Sequence, residues 1–146
     1  MISVKATQVI ALGILVVASD TSPTWAQDSV LIEAARRVTV ASLDSAYPRL
    51  PFEKWLAGFS RVPRSAIHWE VNDCGEGGDG REAPTCVEAG LELTPDTAAY
   101  ATLVVASLDG SPSQPAIWML YARTGRAFTE FKNLSEWVAF VRAHIR

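Results

Sequence analysis

The sequence predicts an α+β domain: a four-stranded antiparallel meander with two N-terminal helices and one C-terminal helix on one face, and one disulfide. Three patterns lead there. Residues 67–93 contain two alternating segments joined by a glycine-rich acidic loop with one cysteine at each end. Residues 99–123 form a second β-prone pair divided by Asp109-Gly110, and apolar stripes of helical period lie before the first pair and after the second.

The chain starts with a segment that does not read as part of this domain. Lys5 precedes an apolar run at 9–18, and a polar Ser-Asp-Thr-Ser-Pro-Thr stretch leads to Trp25-Ala26. This is the pattern of a secretory signal peptide over 1–26, with Thr24 and Ala26 suiting the small-residue positions of a cleavage site before Gln27. The run is about ten residues, against the roughly 20 needed to span a bilayer, and no lipid-attachment cysteine lies near the cut. Residues 27–146 are then expected to be a single periplasmic or secreted domain with no stable membrane insertion after cleavage. The formal net charge is −3 and no basic run is present, which disfavours nucleic acid and anionic membranes as partners.

The first predicted helix covers 29–38, capped by Asp28, with Val30, Leu31, Ala34, Ala35 and Val38 on one stripe and Glu33 and Arg37 as an i, i+4 pair. Residues 39–43 extend or end it. Asp44, Pro48 and Pro51 then impose an irregular connection. Phe52, Trp55, Leu56 and Phe59 share a face of a second, short helix between Pro51 and Gly58.

In the first strand pair Ile67, Trp69 and Val71 oppose His68, Glu70 and Asn72, because successive strand side chains point to opposite faces. Val87, Ala89, Leu91 and Leu93 likewise oppose Cys86, Glu88, Gly90 and Glu92. One buried and one wet face are expected. Between the strands, Gly75, Gly77, Gly78, Gly80 and Pro84 are turn residues. Cys74 and Cys86, the only two cysteines, fall where the strands of such a hairpin approach, so a disulfide is expected. Its closure is worth roughly 2–3 kcal/mol by the chain-entropy argument. A metal site or redox dithiol fits less well, since the spacing is not C-x-x-C and no second cysteine pair is present.

In the second pair Ala101, Leu103 and Val105 oppose Tyr100, Thr102 and Val104, while Ala116, Trp118 and Leu120 oppose Ile117, Met119 and Tyr121. Residues 127–131 could add a short strand after Thr124-Gly125. Asn133 and Glu136 resemble a capping box at the start of the last helix, on which Leu134, Trp137, Val138, Val141 and Ile145 form a core stripe with Phe140 at its edge. Trp55, Trp69, Trp118 and Trp137 all fall on core sides in this reading, which points to an aromatic core rather than a stacking site.

Few residues suggest chemistry. The loop carboxylates Asp73, Glu76, Asp79 and Glu82 could bind a divalent ion, yet their spacing does not follow the EF-hand pattern. His68 beside Glu70 and Glu88 permits a Ser-His-Glu drawing without a G-x-S-x-G elbow or similar signature. Glu70 with Glu88 could be paired acids, but nothing in the sequence builds a cleft between them. No cofactor pattern is read.

The segment W-E-V-N-D-C-G-E at 69–76, the later T-C-V-E-A, and the upstream S-L-D and F-E-K-W-L resemble those of a group of uncharacterised exported bacterial proteins that carry a W-E-V-N-D-C-G-E segment. The resemblance extends over most of residues 27–146, with a shorter loop here. It implies a shared small domain with a bridged hairpin and no particular activity or site residues.

The leading expectation is a non-enzymatic exported interaction domain, an inhibitor or accessory protein, binding a protein partner or itself. Its surface would be the apolar back of the last two strands, Tyr100, Val104, Ile117, Met119 and Tyr121. The alternatives are a divalent-ion or small-ligand protein using the loop at 73–82, with Asp73, Glu76 and Asp79 as ligands, and a minor hydrolase using His68.

Overall fold

Alternation in the middle of the chain and helical stripes at its ends give one sheet with one helical layer. The computed structural model describes residues 24–74, 84–107 and 111–145. The elements are α1 (Thr24–Arg37), α2 (Val40–Leu43), α3 (Phe52–Ser60), a 3-10 turn (Arg64–Ala66), β1 (His68–Asp73), β2 (Thr85–Thr94), β3 (Thr97–Ala106), β4 (Pro112–Thr124), β5 (Ala127–Glu130) and α4 (Leu134–His144). Every neighbouring pair of strands is antiparallel, in the order β1-β2-β3-β4-β5.

The sheet therefore has five strands rather than the expected four. Gly125 supplies the reason. Its φ of +61° suits the first central position of a two-residue primed hairpin turn, which glycine occupies at no steric cost, and Thr124 pairs with Ala127 across it. The chain returns along β4 from Tyr121 to Thr124 only, which leaves the outer side of residues 112–119 as a sheet edge. Pro112 and Pro115 in that stretch withhold backbone donors there, as edge strands commonly require.

The helical layer also departs from expectation. The first helix starts at Thr24, so Asp28 lies inside it rather than at its cap. Its buried side is Leu31, Ile32, Ala35 and Val38, while Val30 is 69 % exposed. The Glu33–Arg37 pair forms at 2.8 Å. Residues 40–43 make a separate one-turn helix, set off by an isolated bridge between Thr39 and Pro51. In α3 the stop is not Gly58 but Arg61, which takes a left-handed conformation with φ 59°. Ser60 returns its hydroxyl to the Leu56 carbonyl and accepts from the Val62 amide.

One apolar core lies between the layers. From the helices come Ala35, Val40, Phe52, Trp55, Leu56, Leu134, Trp137, Val138 and Val141, and from the sheet Val87, Ala89, Leu91, Ala99, Ala101, Leu103 and Leu120. All the sheet members share one face. Trp137 is fully buried, and its indole nitrogen donates to the Tyr121 carbonyl at 3.3 Å. Asn133 caps α4 by accepting from the Glu136 amide at 2.9 Å, and Glu136 in turn accepts from the Lys132 amide at 3.2 Å.

Strand β4 corrects three side-chain assignments at once. Thr102 pairs with Met119 but Leu103 pairs with Ile117, so Trp118 is an extra residue in a β-bulge. A bulge reverses the alternation beyond it. Ile117 accordingly packs against the core, Ala116, read on the core side with Leu120, is exposed on the opposite face beside Val104, and Trp118, read as a core residue from its parity, is 48 % exposed.

Candidate functional site

Among the described residues no helix lies over the second face of the sheet. Register places its side chains in four cross-strand rows, the outermost running Glu92, Ala98, Arg123 and Phe128. The next runs His68, Gly90, Tyr100, Tyr121 and Glu130, then come Glu70, Glu88, Thr102 and Met119, and last Asn72, Cys86, Val104 and Ala116. Four of the five residues expected on a contact surface, Tyr100, Val104, Met119 and Tyr121, meet on this face. Ile117 does not, because the bulge turns it inward.

Glu88 organises the centre. Its Oε2 accepts from the Tyr121 hydroxyl at 2.5 Å and from Thr102 Oγ1 at 3.4 Å. The Tyr121 ring in turn stacks on Tyr100, with centroids 4.8 Å apart and planes at 17°. Burial pushes the Tyr121 hydroxyl well above the ordinary tyrosine range, and the hydrogen bond to Glu88 together with the charges of Glu88 and Glu70 adds to this. A phenol held in that state is a donor, unsuited to act as a base near neutral pH.

His68 and Glu70 approach to 3.9 Å on the solvent side, where both are mostly exposed. The carboxylate of Glu88, expected near His68, is instead occupied by Tyr121 and Thr102. His144, the second histidine, stacks on Phe140 at 4.1 Å and its Nδ1 lies 2.8 Å from the Phe140 carbonyl. The two histidines thus belong to different parts of the fold.

Cys74 and Cys86 are bonded, with Cα atoms 5.2 Å apart, and both are buried. The bridge closes the β1–β2 hairpin just below the acidic loop. Of the carboxylates read there, Asp73 is exposed at the end of β1, while Glu76, Asp79 and Glu82 lie outside the described residues. Among the described residues no three His, Cys, Asp or Glu side chains are grouped as metal ligands would be, and no helix is long and apolar enough to cross a membrane.

Large apolar side chains gather at the β4–β5 end. Trp118, Met119 at 38 % and Phe128 at 70 % are three of the four large hydrophobic residues exposed among those described. Phe128 faces the same way as Tyr121, its ring 6.3 Å away, because it pairs in register with Arg123.

Sequence reasoning missed Glu88 as the hub and Phe128 as part of the surface. The first depends on register across three strands. The second had a signal, since Thr124-Gly125 followed by 127–131 reads as a hairpin once the short strand is accepted. No protein family, curated protein or solved structure matches the chain.

Proposed function

We propose that this chain is a non-enzymatic exported interaction domain that binds a protein, a second copy of itself included, through the β4–β5 end of the sheet face that no helix covers among the described residues. The observation that carries this reading is the clustering of Met119, Tyr121 and Phe128 on one face with Trp118 at the adjoining edge, three of the four being large apolar groups in water. Contiguous apolar surface of this kind on a small domain marks contact surfaces, and tryptophan, tyrosine, phenylalanine and methionine are the residue types enriched in them. Glu88 supports it by locking the Tyr121 rotamer, since a side chain ordered in advance loses less entropy on binding.

Export rests on the leader pattern at 1–26 and on the bridged cysteines, which suit an oxidising compartment. A periplasmic or secreted location follows from the two together. An inhibitor or accessory protein would use such a face in the same way.

The test is association measured by sedimentation over a range of concentrations, and by affinity capture from the native envelope, for the wild type and the Met119→Asp/Phe128→Asp variant. The reading expects the variant to lose self-association or a specific partner that the wild type holds. Identical sedimentation and identical captured proteins for the two would overturn it.

A further inference from the structure

Gly90 sits in the middle of β2, where a glycine weakens a strand and often marks a close approach. A Cβ built there would lie 3.3 Å from two ring carbons of Tyr100 and 3.6 Å from the Cβ of His68. With Ala98 it floors a surface depression of about 440 Å³, walled by His68, Glu92, Tyr100 and Arg123. That volume is within the roughly 300–1,000 Å³ of small-ligand sites.

The charges on its rim are arranged to suit one kind of ligand. Glu92 pairs in register with Ala98, and Ala98 with Arg123, so a carboxylate and a guanidinium stand on either side of the floor, two strand spacings or roughly 10 Å apart at the backbone. Among the described residues neither takes part in an ion pair. One negative and one positive group face the same small space and do not neutralise each other. Next to them the Tyr100 ring, backed by its stack on Tyr121, offers an aromatic wall held in place.

We propose that this depression binds a free aromatic α-amino acid, whose ammonium meets Glu92, whose carboxylate meets Arg123, and whose flat side chain packs against the Tyr100 ring, which itself covers Gly90. An internal residue of a peptide carries neither main-chain charge, and a chain terminus carries one, so the pair of opposite charges selects the free zwitterion. The site adjoins the apolar β4–β5 end, since Arg123 pairs with Phe128 and Tyr100 stacks on Tyr121, but its ligand is chosen by the charges of Glu92 and Arg123, which the contact at that end does not use.

Calorimetric titration of the full domain with L-phenylalanine, 3-phenylpropanoate and phenethylamine tests this, with Glu92→Gln and Arg123→Gln as variants and circular dichroism as the check on folding. Saturable binding of L-phenylalanine is expected, weakened about tenfold or more in either analogue lacking one charge. Arg123→Gln should weaken L-phenylalanine while leaving phenethylamine unchanged, and Glu92→Gln should weaken L-phenylalanine while leaving 3-phenylpropanoate unchanged. No saturable heat with L-phenylalanine, or equal affinity for all three compounds in folded protein of every variant, overturns the assignment.

Discussion

Tyr121 on β4 reaches across β3 to Glu88 on β2, its hydroxyl donating to Oε2 at 2.5 Å. Two strands separated by a third are thereby joined through side chains on the open face, in addition to the backbone ladder. Tyr121→Phe removes the donor and leaves Glu88 with Thr102 alone, so a loss of about 1–2 kcal/mol is expected in denaturant unfolding.

The same contact sets an alkaline dependence. In the unfolded chain Tyr121 ionises near pH 10, whereas in the folded state burial and Glu88 hold its proton to higher pH. Its contribution is thus fully present below about pH 10 and is lost as pH rises further, because the unfolded state then sheds a proton that the folded state keeps. Stability measured from pH 8 to 11 should fall more steeply for the wild type than for Tyr121→Phe.

The bulge at Trp118 makes a paired prediction. Ile117→Asp places a carboxylate against the core and should cost about 2–4 kcal/mol. Met119→Asp, two positions along, should change stability by less than about 1 kcal/mol. Parity without the bulge places both residues on the same face, so equal effects would count against it.

Arg61 bears a conformation that glycine adopts more readily. Arg61→Gly should stabilise the protein by about 0.5–1 kcal/mol, the relief of the left-handed backbone less the added freedom of the unfolded chain. A rise in thermal midpoint checks this.

Replacing both cysteines by serine should cost about 2–3 kcal/mol through the added freedom of the unfolded chain. The bridge joins only β1 and β2. Reduction is therefore expected to lower the unfolding midpoint while leaving the alkaline behaviour of Tyr121 unchanged in what remains folded.

Much of this fold was legible because its signals are local. Alternation placed Trp69, Val71, Val87 and Leu91 on one side of a hairpin, and helical spacing placed Leu134, Trp137, Val138 and Val141 on one stripe, all facing the core in the structure. What escaped depends on geometry that no window of sequence contains. The single extra residue at Trp118 changed the surroundings of Ala116, Ile117 and Trp118 itself, and a left-handed arginine ended a helix where a glycine three positions earlier was the obvious stop. Faces were read from parity, so Tyr100, Val104, Met119 and Tyr121 do share one face, while Ile117, which lies beyond the bulge, turns to the other. Glu88, by contrast, acquired its role only from the register of β2, β3 and β4.

The strands lie side by side in the order in which they occur along the chain. Each can zip onto its predecessor after closing a short loop, so little chain entropy is spent before pairing begins, and mixed domains with such local contacts refold faster than all-β sandwiches. The C-terminal helix, whose Trp137 donates to the backbone of β4, can dock only once that strand is in place. Nascent chains truncated before residue 134 should then keep the meander's hairpins while leaving its greasy side open to chaperones.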